Sequence, residues 1–135
     1  MKKTIIFIIL TLLTVAPDLV LGQANANAYA DRFLNKEMQL IAKPSSKKGW
    51  IDLNTDRTFD PINLFADHAK AFGLTDEDQM RVRKVLNDDL GFTHYRFYQY
   101  NKGVRVEGAE YITHVNKEGQ VYCANGKMVS GLNMT

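Results

Sequence analysis

The sequence predicts an α+β domain, with two helices packed on an antiparallel β-meander of three or more strands. Three observations carry this. Between Asp60 and Leu90 apolar residues recur at steps of three and four, the period of a helix with one buried stripe. After Gly91 the period changes to two and the aromatic content rises, as in a strand. Turn signals then recur at Asn101-Lys102-Gly103, Asn116 to Gly119 and Asn125-Gly126. Helices followed by strands in a chain of 135 residues make one layered domain.

The chain opens with Lys2 and Lys3 and the apolar run Ile5 to Ala16, broken by Pro17 and Asp18. A membrane-spanning helix needs about 20 apolar residues. A shorter run after a basic start, with small residues beyond, reads as an export signal covering residues 1–22, cut after Gly22, with the pairs Ala24/Ala26 and Ala26/Ala28 suiting a later cut. No lipid-accepting cysteine follows it, so no stable membrane anchor is expected. Residues 23–60 form a lead-in segment, and residues 61–135 the main domain.

Within the lead-in, Tyr29 to Ile41 has Leu34, Met38 and Ile41 at helical spacing. Lys43 to Gly49 is a loop by composition, and its Lys43/Lys47/Lys48 cluster reads as solvated rather than as a docking patch. Trp50 to Leu53 is a short strand. The first main helix begins with Asp60 as N-cap and Pro61 at the first helical position. Its stripe is Ile62, Phe65, Ala69 and Phe72, and Gly73 ends it. The second begins at Thr75, with Asp78 placed to complete a capping box. Its apolar positions are Val82, Val85, Leu86 and Leu90, and Arg81, Arg83 and Lys84 lie on the exposed side. Three strands follow: the aromatic run from His94 to Tyr100, Val104 to Val115 with Gly108 as a bulge or a close-approach point, and Gln120 to Ala124.

Composition limits the function. Lys plus Arg is 17 against 15 for Asp plus Glu, too balanced for a binder driven by phosphate neutralisation. The single cysteine, Cys123, excludes an internal disulfide and a cysteine-based zinc cluster, and reads as a small buried hydrophobe. His68, His94 and His114 form no H-E-x-x-H motif. His94 and His114 fall on neighbouring strands, but a metal site there needs a third ligand, with Glu107 or Glu110 as candidates. Those two glutamates are three apart on one strand and point to opposite faces, which does not make a paired acid/base site. Neither a catalytic residue nor a metal or cofactor site is predicted.

The stretch Gly91 to Tyr111 resembles the FTP domain, the fungalysin/thermolysin propeptide domain. A strand carries His94, Arg96 and Gln99, a turn ends in Gly103, and Val104-Arg105-Val106-Glu107-Gly108-Ala109-Glu110 follows. Asn125-Gly126-Lys127 resembles the segment with which that domain runs out, and the likeness extends over Leu64 to Thr135. Arg105 departs from the proline usual in thermolysin-type sequences.

The resemblance implies a non-catalytic module that binds the catalytic domain of a secreted thermolysin-type metalloprotease, in cis or in trans, as folding assistant, as inhibitor, or as both. It also implies a precursor in which a PepSY module and the protease domain follow, so that this chain reads as a truncated precursor or a stand-alone propeptide-like domain. The partner-binding residues it suggests are Arg96, Gln99, Gly103, Glu107 and Gly108. Arg96 has two readings: a charge-assisted fork to a partner carboxylate, or a cross-strand pair with Glu107 or Glu110. The alternative function is a secreted adaptor domain for another extracellular ligand.

Overall fold

A computed structural model describes residues 32–132. Helix α1 (Lys36–Ile41) leads into strands β1 (Ala42–Pro44) and β2 (Trp50–Leu53). Helix α2 (Leu64–Asp67) follows, then β3 (Asp78–Asn87), β4 (Thr93–Asn101), β5 (Val104–Val115) and β6 (Val121–Lys127). The strands form one six-stranded sheet in the order β1-β2-β6-β5-β4-β3, with every neighbouring pair antiparallel. No helix among the described residues is long and apolar enough to cross a membrane. The export signal expected over 1–22 lies outside the described residues.

The expected α+β class with two packed helices is overturned. The described residues are β-rich, an antiparallel six-stranded sheet with two short helices. Thr75 to Leu90 is not a helix; its centre is strand β3, paired with β4 from Asp78↔Asn101 to Asn87↔Thr93. The capping contact expected at its start does form: the Asp78 carboxylate accepts from the Thr75 N–H at 2.9 Å and its hydroxyl at 2.8 Å. That contact closes a turn instead of a helix, because the edge of the aromatic strand β4 offers nine residues of ladder.

The Asp60 contacts form, its Oδ1 accepting from the N–H groups of Ile62 at 2.8 Å and Asn63 at 3.1 Å, but they close a turn over Pro61 to Asn63, and the helix itself starts later, with Asn63 and not Asp60 at its N-cap position. Only Leu64–Asp67 is α-helical; turns continue to Gly73. Phe65 and Phe72 enter the core as the stripe requires, while Ile62 stays exposed. In the lead-in, α1 is capped by the Asn35 side chain, which accepts from the Glu37 N–H at 2.9 Å. Met38 and Ile41 are buried and Leu34 is exposed; residues 29–31 of that expected helix lie outside the described ones.

The helices and turns cover one face of the sheet. Phe65 is the centre of this layer, with edge-to-face contacts to Phe72 and Phe97 at 4.8 Å and to Tyr111 at 5.5 Å. Met38, Ile51, Leu64 and Val121 complete the core. The Asn125-Gly126 turn is also overturned, since both residues are inside β6. Gly126 faces the backbone of β5: a Cβ there would sit 2.3 Å from the Glu110 carbonyl oxygen and 2.6 Å from Tyr111 Cα.

Candidate partner-binding surface

The face of the sheet away from the helices carries polar and aromatic side chains. On β4 and β5 the register sets His94 opposite His114 and Tyr98 opposite Glu110, all pointing away from the core side marked by Phe97 and Tyr111. Arg96 is on this face. Its guanidinium donates to the Glu110 carboxylate, and both side chains are about one-third exposed. The cross-strand reading of Arg96 therefore describes the protein, with Glu110 and not Glu107 as partner. Nearby, the guanidinium of Arg105 stacks over Tyr98 at 3.9 Å and that of Arg81 over Tyr100 at 4.2 Å.

Gln99 points the other way and is fully buried. Its Nε2 donates to the Val129 carbonyl at 2.7 Å and to Asp78 Oδ1 at 3.1 Å, while its Oε1 accepts from the Val129 N–H at 3.0 Å. Gln99 thus clamps the segment after β6 onto the sheet. Asn101, also buried, donates to the same Asp78 oxygen at 3.0 Å. Burial works against ionisation of Asp78, yet the hydrogen bonds from Asn101, Thr75 and Gln99 hold its carboxyl below the usual range.

Gly103 is in the β4–β5 hairpin after Lys102, and both residues have positive φ, 79° and 50°, as a two-residue turn of this hand requires. Gly108, with φ 72°, lies in the irregular stretch of β5 where the register jumps from Tyr98↔Glu110 to Tyr100↔Arg105. The expected bulge is there. Glu107 is exposed in the same stretch. Of the five suggested residues, Arg96, Gly103, Glu107 and Gly108 therefore lie on the β4–β5 hairpin, and Gln99 lies inside the domain. Sequence reasoning missed the Asp78–Gln99–Asn101 cluster, because Asp78 read as a helix cap; the alternation of Gln99 and Asn101 with Phe97 was the available signal.

His94 and His114 do meet, with their Nδ1 atoms 2.7 Å apart, so one ring carries the shared hydrogen. His94 Nε2 is 3.1 Å from Asp88 Oδ2, and His114 Nε2 is 2.6 Å from Asn125 Oδ1. Trp50 stacks on His114, with ring centroids 4.8 Å apart and planes 12° from parallel. Burial and the positive charges of His94 and Lys47 lower the His114 pKa against the opposing hydrogen bond to Asn125. Neither Glu107 nor Glu110 joins the pair as a third ligand. Among the described residues no group of three or more His, Cys, Asp and Glu is placed to hold a metal. Cys123 is buried, and burial pushes its thiol up to about 11, which suits an inert packing role.

Known proteins match this part of the chain. Residues 78–128 match the family model described as Fungalysin/Thermolysin Propeptide Motif. A stretch of 61 residues is 31% identical to Bacillolysin of Bacillus amyloliquefaciens, covering 45% of this chain and 12% of that protein. The chain thus matches about an eighth of the length of this curated relative. The family match runs from the first residue of β3 to the residue after β6, the meander β3-β4-β5-β6. Residues 78–128 of this chain carry the fungalysin/thermolysin propeptide motif.

Proposed function

We propose that this chain is a non-catalytic propeptide domain that is exported and binds the catalytic domain of a thermolysin-type metalloprotease, assisting its folding and holding it inactive. The observation that carries this reading is the family match over β3 to β6, together with the likeness to Bacillolysin in a stretch of similar length. The meander suits the role physically. It presents a charged and aromatic face and the β4–β5 hairpin tip, on a core that is closed from the other side.

The test is to refold a denatured bacillolysin-type catalytic domain with and without the full chain. A higher yield of active protease, followed by inhibition at micromolar chain, supports both roles. Refolding assistance without inhibition restricts the role to folding. The absence of both effects overturns the proposal for this chain.

A further inference from the structure

We propose that the free edge of β3 takes up an extended peptide segment whose residues alternate between apolar and acidic, added to the sheet as a seventh strand. The inference stands on the edge itself and is independent of the propeptide reading.

Strand β3 ends the sheet, and among the described residues β4 is its only neighbour. It is ten residues long, whereas the opposite edge, β1, has three and ends in Pro44. The outer side of such an edge offers a row of backbone donors and acceptors to another strand.

The two sides of this edge differ in chemistry. Met80, Val82 and Val85 pair with Gln99, Phe97 and Tyr95, which places them on the helix-covered side. Val82 is nevertheless 38% exposed and Val85 47%, because α2 and its flanking turns stop short of β3. A groove lined by Ile62, Phe65, Ala69, Leu74, Met80 and Val82 runs there, and Ile62 on its far wall is 54% exposed. On the open side a second groove is lined by Arg83, Lys84, Leu86, Arg96 and Tyr98. Arg96 is neutralised by Glu110; Arg83 and Lys84 form no ion pair among the described residues.

A strand laid on this edge points alternate side chains into the apolar groove and the basic groove. Apolar residues suit the first and carboxylates the second. A second copy of the chain fits worse, since pairing β3 with itself brings two Arg81–Arg83–Lys84 runs together and like charges across strands repel. Edge charges and a bulge keep identical strands apart; here the same charges favour a strand of opposite sign.

The probe is a soluble eight-residue peptide of alternating Val and Glu, compared with one of alternating Val and Lys, added to the full chain. At a concentration about ten times the dissociation constant, the Val/Glu peptide slows amide exchange in β3 about tenfold. The double variant Arg83→Glu, Lys84→Glu, at exposed positions that leave the core intact, loses the Val/Glu peptide and gains the Val/Lys peptide. Val82→Asp weakens both. Equal binding of the two peptides by the unaltered chain overturns the proposal, as does unchanged exchange in β3. Self-association that protects the same amides overturns it in favour of a second copy. A chain that assists protease refolding while its β3 amides ignore the peptide separates this failure from failure of the propeptide reading.

Discussion

Val82 and Val85 stand on the same side of β3, opposite Phe97 and Tyr95, although they are three positions apart. The register shifts between Val82 and Lys84, so Arg83 is the extra residue of a bulge. The spacing of three that resembles a helical stripe is a strand's period of two with one residue inserted.

Deleting Arg83 therefore closes the ladder into regular alternation without moving any paired residue. The expected change in stability is within about 1 kcal/mol. Deleting Arg81 instead moves Met80 from the helix-covered side to the open face, losing roughly 1.5 kcal/mol of its partial burial. Urea unfolding of the two deletions checks the difference. A helix over this stretch would suffer from both deletions alike, so equal losses would overturn the bulge assignment.

Gln99 holds Asp78 and both backbone groups of Val129. Gln99→Ala leaves these partners unsatisfied, with an expected loss of about 2–4 kcal/mol, and Gln99→Glu costs at least as much because it faces a carboxylate and a carbonyl. The Arg96→Ala change, which opens a pair about one-third exposed, costs about 0.2–1 kcal/mol. Thermal unfolding of the three variants tests this order; a larger loss for Arg96→Ala than for Gln99→Ala would contradict it.

The strands after Gly91 were legible because Tyr95, Phe97 and Gln99 alternate cleanly and Lys102-Gly103 fixes the hairpin. The Asp60 contacts, the Gly108 bulge and the meeting of His94 with His114 were legible for equally local reasons. Strand β3 was not, because its bulge falsifies the period and its Thr75–Asp78 contact is shared by helix starts and turns. Asn125-Gly126 misled for a different reason. The dipeptide favours turns, but this glycine is set by the approach of Tyr111, a contact between strands that no local pattern contains. The role of Gln99 depends likewise on Val129, thirty residues away.

The Gly126 contact is testable by substitution. Gly126→Ala drives a Cβ into the backbone of Glu110 and Tyr111, where no side chain can rotate away. Gly103→Ala meets no atom within 4 Å and carries only the cost of a positive φ, about 1–2 kcal/mol. Gly126→Ala should exceed it by about 1–3 kcal/mol, the typical cost of forcing atoms into a packed site. Equal losses in denaturant would show that β5 and β6 do not approach this closely.

The histidine pair predicts a pH dependence of stability with a definite sign. An unfolded chain protonates His114 near about 6.5, whereas in the fold its pKa lies below that, chiefly through burial. Between the two values the unfolded state binds more protons, so stability falls as pH drops through this window. The lowered pKa of Asp88, held down by the Phe92 N–H and the His94 side chain, acts in a separate window, at and below the ordinary carboxylate range. His114→Phe keeps a ring against Trp50 and removes the titrating group. Its stability at pH 7.5 is lower, because Asn125 and His94 lose a partner, but its urea midpoint should change less between pH 7.5 and 5.5 than that of the unaltered chain. Parallel declines in the two proteins would place the sensitivity elsewhere than at His114.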